Sequence, residues 1–454
     1  MTRTVPLAKI RAFKEQLRGQ LVGRGDDGYD IARRVWNGRI DRRPALIAFC
    51  ADDADVLASV RFAREHDLVA AVRGGGHNVA GTAVCDDGLV IDLSQMKTIE
   101  VDATRRTARA QGGVLWGELD RATQAYGLAV PGGTDSEVGI AGLTLGGGNG
   151  WLMGMYGATC DNLLAANVMT AGGQSVSASA TDNPDLFWAL RGGGGNFGIV
   201  TSFCYRLYPV GPMVMGGAIL YAYKDALKVL RNFHDFARSA PDALTVYTCL
   251  IYDGGQPVVA IAACYAGPHD RAEATVAPLR KWGTIVADQL RPMPYLELQC
   301  LFDAARPAGR LCAMRSNFMA DLPEDAIRIL VEYFTATPSQ LSAIIVEHCH
   351  GAITRVAPEA TAFGLRRNPY HLEILAFWAG ADESPANLGW MNGFFAAMQP
   401  FNAGEVYVNS LDEGEGHRVG EAYGANYHRL ITLKAKFDPA NFFRCNQNIP
   451  PPNG

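Results

Sequence analysis

Apolar positions fall into two textures along this chain, and the change between them comes near Pro212. Residues 10–21 carry a partly amphipathic pattern, so residues 1–39 read as a lead-in helix and loop. From Pro44, short apolar runs at 45–49 and 68–72 bracket a helical stretch that Asp52 or Asp53 can cap and that reaches about Glu65. Shorter strand candidates follow at 89–93, 98–101 and 107–110. A helix over 114–126 then places Leu115, Leu119, Ala122 and Tyr126 on one face, with Gly127 as its stop. Residues 167–170 and 175–177, joined by Ala171-Gly172-Gly173, predict a hairpin. Asn183-Pro184-Asp185 predicts a helix start with Asn183 as the capping side chain, and 199–208 closes this half as a strand.

Beyond Pro212 the strands lengthen, at 246–252, 258–265, 343–349 and 371–378. Helical stretches near 271–282, 324–335 and 386–398 alternate with them. The pattern predicts an α+β fold whose second part is a large, mostly antiparallel sheet backed by helices. The last residues return to Gly/Asn-rich chemistry like that of the first half. Four segments follow: a lead-in at 1–39, a first domain at 40–212, a second at 213–405, and a tail at 406–454 that returns to the first.

Composition narrows the function. At 48% hydrophobic and 19% charged residues the chain is globular. A net charge of -5 gives no basic footprint, which argues against nucleic acid as a partner. No apolar run reaches the length of a membrane span or a signal peptide, and the ten Cys form no CxxC pairs. No membrane partner, no metal and a cytoplasmic location are therefore expected. Glycine is the outlier, at 50 residues, with runs at 74–76, 146–148 and 192–195. No GxxxxGK[ST] occurs, and 142–150 gives a G-x-G-x-x-G spacing only by shifting register. Backbone N–H groups in such loops form concave anion sites suited to a pyrophosphate without lysine.

Two nucleophiles sit beside these glycines, His77 after Gly74-Gly75-Gly76 and Cys160 after Tyr156-Gly157. Taken singly, each is more often an ordinary loop histidine or a small buried hydrophobe. In the second half, alternation along 344–350 puts His348 and His350 on one face and Glu347 and Cys349 on the other. The His pair could line a substrate site, serve as base or be satisfied structurally; no further metal ligand stands near it. Glu373 lies in an otherwise apolar strand, where it could act as a base or pair with Arg366 or Arg367.

Residues 72–81 (Val-Arg-Gly-Gly-Gly-His-Asn-Val-Ala-Gly) resemble the R-[SG]-G-G-H loop of the vanillyl-alcohol-oxidase flavoprotein superfamily. Residues 142–163 are similar to the second flavin-binding stretch of its berberine-bridge-enzyme-like branch. Residues 184–200 match a third signature, and 427–430 with 437–448 the C-terminal one. The resemblance implies a PCMH-type two-lobed FAD-binding domain over 40–212, completed by the tail. It implies FAD attached twice, through His77 to the 8α-methyl carbon and through Cys160 to flavin C6. Cofactor contacts would come from Arg73, Gly74, Gly75, Gly76, His77, Asn78 and Gly81, then from Gly142, Thr144, Leu145, Gly146, Gly147 and Gly150. Tyr156, Gly157, Cys160 and Asn162 would follow, with Gly198, Ile199, Val200, Asn446 and Asn448. Thr144 and Leu145 align near the region that governs oxygen access.

The implied reaction is hydride transfer from a small-molecule substrate to flavin N5, with reoxidation by molecular oxygen to hydrogen peroxide. A base must take the heteroatom proton. The position of a Tyr in plant members aligns with Ala422, leaving Tyr423 and Tyr427 beside it as candidates, together with Glu373, His348 and His350. Three readings remain: an alcohol or sugar oxidase, an amine oxidase or oxidative ring-closing enzyme, and a flavin-binding protein without turnover.

Overall fold

The computed structural model describes residues 5–452. Its first half contains two main small sheets and a two-stranded pair, Leu128–Ala129 with Tyr208–Pro209. Gln20–Gly23, Leu46–Phe49, Leu89–Asp92 and Ala70–Arg73 form a four-stranded sheet, in that spatial order, parallel except for its first pair. Helix Asp53–Glu65 makes the crossover, and the Asp52 side chain accepts from the N–H groups of Ala54 and Asp55 as expected of a cap. The second sheet is antiparallel, ordered Ile99–Asp102, Thr107–Gln111, Ile199–Arg206, Leu163–Met169, Ser175–Ser179.

The second half is an eight-stranded antiparallel sheet built from residues 213–378. Helices Ala226–Ala237, Glu324–Thr335 and Ser384–Met398 bury their apolar stripes on one of its faces through Val229, Phe233, Leu330, Phe334, Met391 and Phe394. The other face meets the small-sheet half through Trp36, Trp151, Tyr247, Ile345, Leu375 and Phe377. The α+β class and the large antiparallel sheet are as the pattern predicts. Among the described residues no helix is long and apolar enough to cross a membrane.

Local expectations fail where polar residues mask an element. Leu311–Met319 is a full strand despite Arg315, Ser316 and Asn317. Met213–Ala222 is one despite the Gly216-Gly217 pair. Helix Pro184–Leu190 starts where expected, but Asn183 does not cap it: the residue is left-handed and its Nδ2 donates to the Ser177 carbonyl at 2.7 Å.

The tail carries helix Tyr427–Phe437, packed against the small-sheet half. Lys434 pins it there. Its fully buried ammonium donates to Asp438 at 2.7 Å and to the carbonyls of Asn196 and Phe443, both at 2.9 Å. Removing one partner of a buried pair strands the other charge, so Lys434→Ala is expected to cost about 3–5 kcal/mol. Chemical unfolding measures it; a loss below about 1 kcal/mol, the range of an exposed pair, would contradict the assignment.

Candidate functional site

A cavity of about 350 Å³ runs between the small sheets, the tail and the inner face of the large sheet. One wall is bare backbone. A Cβ on Gly75 would lie 2.4 Å from the Gly139 nitrogen, and a Cβ on Gly139 equally close to the Gly75 nitrogen. Two main chains therefore touch at a point where neither can carry a side chain. Gly76, at φ +66, turns the loop so that His77 follows into the cavity.

His77 stacks on Trp36, ring centroids 4.4 Å apart and planes 22° from parallel. Burial lowers the imidazole to about 4; Asp135 opposes that shift and Arg306 adds to it. The ring is thus neutral at neutral pH, with a nitrogen lone pair free to act as a nucleophile. Asp135 and Arg306 also line the cavity, joined by an ion pair at 2.9 Å.

The large sheet supplies the opposite wall. Glu347, on strand Ala343–His348, accepts from Tyr247 Oη at 2.8 Å and pairs with His371 Nδ1 at 3.1 Å. Asn149 Nδ2 stands 3.4 Å from the same carboxylate. His371, on strand Tyr370–Trp378, stacks on Phe318 at 4.7 Å. Its Nε2 is buried without a partner among the described residues. Burial alone would lower His371, but the Glu347 hydrogen bond and the charges of Glu373 and Glu347 outweigh it and raise it above 6.5. Glu373 accepts from Ser410 Oγ at 3.3 Å. The Tyr407 hydroxyl receives the N–H of Gly148 and Nδ2 of Asn409, both at 2.9 Å, and burial holds it well above its ordinary pKa.

Of the residues singled out in the sequence, Gly74, Gly75, Gly76, His77, Asn78, Gly142, Leu145, Gly198, Ile199, Val200, Glu347, Glu373 and Asn446 line the cavity. The others stand behind it. Arg73 pairs with buried Asp92. Thr144 bonds Tyr205 at 2.8 Å, and Tyr156 stacks on Tyr208 at 3.9 Å. Asn162 donates to the carbonyl of Tyr156 at 2.8 Å. Gly146, Gly147 and Gly150 pack against Asn409, Phe363 and Gly132, Gly157 against Asp161, and Gly81 against Ile40. Asn448 also lies outside the lining.

Cys160 requires a correction. Its thiol is fully buried outside the cavity lining, 3.9 Å from Asp161 Oδ1. Burial first and the Asp161 charge second push it above the ordinary thiol range, which disfavours the thiolate there. Arg366 holds Asp161 by two bonds, at 2.6 and 2.8 Å, and so is not the partner of Glu373.

The candidate bases also move. Glu347 faces the cavity, so alternation turns His348 to the helix side, where it stacks on His350 at 4.9 Å and lies 5.3 Å from Tyr370. His350 is outside the cavity with it, and no group of three potential ligands that could hold a metal occurs among the described residues. Tyr423 is buried in the small-sheet half with its hydroxyl unpartnered among the described residues, and burial raises it. Tyr427 stacks on it at 6.2 Å, and neither reaches the cavity. Sequence reading missed Trp36, Asp135, Tyr247, Arg306, His371 and Tyr407. Of these only His371 carried a signal, a polar residue in a mostly apolar strand.

The family model described as FAD binding domain matches residues 44–179, and that described as Berberine and berberine like matches 406–450. An uncharacterized FAD-linked oxidoreductase, YgaK of Bacillus subtilis, is 33% identical over 445 residues, covering 96% of this chain and 98% of the relative. The (R)-6-hydroxynicotine oxidase of Paenarthrobacter nicotinovorans is 31% identical over 450 residues, covering 96% and 97%. The solved 6-hydroxy-D-nicotine oxidase of Arthrobacter nicotinovorans superposes with a TM-score of 0.88 at 30% identity, covering 95% of this chain and 98% of that one.

Gly75→Ala is expected to part the two main chains at a cost of about 1–3 kcal/mol and to reduce the flavin retained by the native protein. Unfolding midpoint and flavin absorbance read both effects. Unchanged values would show that the contact is not required.

Proposed function

Because the chain belongs to the berberine and berberine-like family of FAD-linked oxidoreductases, we propose that it holds FAD through one covalent bond, at His77. Its substrate is a small molecule whose reacting carbon carries a hydroxyl. One observation carries this reading: a neutral nucleophilic His77 on one wall of the cavity, and a Glu347–His371 acid–base pair on the other. The residues present fit a flavin nucleotide. Gly74, Gly75, Gly76, Gly139 and Gly142 line the cavity with no side chain, a Cβ on Gly142 would meet nothing within 4 Å, and Asn446 Oδ1 at the tail end of the cavity is a buried acceptor without a partner among the described residues.

When bound, FAD would supply a two-electron acceptor for the substrate's hydride, with molecular oxygen as the final oxidant. The chain's own part is the proton. His371 Nε2 takes it from the substrate hydroxyl, while Glu347 at Nδ1 fixes the tautomer and balances the resulting charge. Tyr247 and Asn149 hold the Glu347 carboxylate in place. Glu373, steadied by Ser410, receives a second polar group of the substrate. Trp36, Phe377 and Tyr407 supply the apolar walls that exclude water.

A second reading, an amine substrate, draws on charge. Glu347 and Glu373 both face the cavity, while the Arg306 cation there is already paired with Asp135. That excess of negative charge suits a protonated amine beside aromatic walls, and the nicotine oxidase relative is in keeping with it. Anaerobic mixing separates the two: bleaching of the flavin band by polyols and alcohols supports the first, and bleaching by cyclic amines alone the second.

Tethering at a single site makes a sharp expectation. Denatured wild type and Cys160→Ala should both retain flavin, whereas His77→Ala should release all of it, as read by absorbance after precipitation. Release from Cys160→Ala would restore the thiol to a role. The proton step sets the pH dependence. His371 must be neutral to act, so activity is present above its raised pKa and lost as pH falls through it. Glu347→Gln removes the main raising influence, so the acid limb should move to lower pH while kcat falls by about 100-fold. An unmoved limb in the pH–rate profile would exclude His371 as the titrating group.

A further inference from the structure

The groups around His77 come largely from outside its own loop. Trp36 lies flat on the imidazole, and its Nε1–H donates to the Arg306 carbonyl at 3.1 Å. The Arg306 guanidinium donates to Asp135 Oδ2 at 2.9 Å and lies over the Phe302 ring at 5.1 Å from its centroid. Nearby, Asp303 accepts from Ser136, from N at 2.9 Å and from Oγ at 2.6 Å. A single short turn, Asp303–Ala305 followed by Arg306, thus grips both the 134–136 loop and Trp36. That turn lies between two strands of the large sheet, Arg291–Pro294 and Leu311–Met319, while His77 and Asp135 belong to the small-sheet half. Asp135 Oδ1 is buried with no partner among the described residues, and the residue lines the cavity with His77.

We infer that this turn sets His77 for flavin attachment, with Arg306 and Asp135 as positioning residues for the covalent step. The inference rests on the reading that His77 carries the flavin. In net terms, a bond forms between an imidazole nitrogen and the flavin 8α-methyl carbon. One C–H and one N–H bond break, and the two hydrogens leave with their electrons to molecular oxygen as hydrogen peroxide. The step needs the ring plane fixed and an acceptor for the imidazole proton. Trp36 supplies the first, and the free oxygen of Asp135, held in place by Arg306, supplies the second. A displacement of about 1 Å costs an oriented step on the order of 100-fold. Attachment therefore waits until the large sheet has docked on the small-sheet half, which keeps a half-folded chain from trapping flavin in the wrong place.

The test uses purified, gel-filtered protein and two quantities: total flavin per native chain, and the share that stays on the chain after denaturation, read by intact mass. Asp135→Asn and Arg306→Ala are expected to keep bound flavin while the covalent share falls by about tenfold or more. Arg306→Lys should recover most of it. The inference is overturned if both variants keep the wild-type covalent share, or if total and covalent flavin fall together so that their ratio is unchanged. Should Arg306→Ala not fold, the near-isosteric Asp135→Asn decides alone. A wild type that releases all its flavin on denaturation overturns the attachment reading itself, a result distinct from any of these.

Discussion

The close approach of Gly75 to Gly139 is the constraint on which the rest of the site depends. A main chain that passes another with a would-be Cβ only 2.4 Å from its nitrogen leaves a wall with no side-chain relief. The contact fixes where the next two residues must go. Gly76 turns and His77 lands in the cavity. Interiors packed to crystal-like density transmit a change of one methyl group, so this contact couples the first loop to the second lobe rigidly.

Three further pieces frame the small-sheet half and its cavity, and each is held by charge inside apolar surroundings. Lys434 seats the tail, Arg366 and Asp161 lock the turn that carries Cys160, and Arg306 with Asp135 joins the large sheet to the small-sheet half. Buried pairs add little net stability, but breaking one is costly, so they specify a single arrangement of parts. The opposing walls then divide the chemistry. His77 is lowered by burial and stays neutral; His371, more deeply buried, is raised because Glu347 and Glu373 outweigh desolvation. Two histidines in one cavity are thereby set apart in pKa, one suited to carry a group and the other to handle a proton.

Much of this was legible in the sequence, and the failures have physical reasons. The Asp52 cap, helix Glu324–Thr335 and the Gly-rich loops declared themselves because local chemistry alone dictates them. Alternation on strand Ala343–His348 correctly separated His348 from Glu347, but both faces carry apolar residues, so the pattern could not say which looks inward. Tyr407 sits in a segment without periodicity, and Asp135 and Arg306 meet across 171 residues of chain. Cys160 misled for the opposite reason. It lies within a signature that resembles a flavin-binding stretch, yet the turn Thr159–Asn162 bonds back to Gly147 and Gly148 and leaves the thiol outside the cavity. Nearness in sequence to a binding motif does not fix the direction of a side chain.

The central proposal is a single anchored flavin facing a proton-handling pair. Tandem mass spectrometry of peptides from the denatured wild-type protein tests it most directly. The account predicts one flavin-derived mass, fragmenting to His77, with the Cys160 peptide unmodified. A flavin mass on Cys160, alone or alongside His77, or no modified peptide at all, would contradict it.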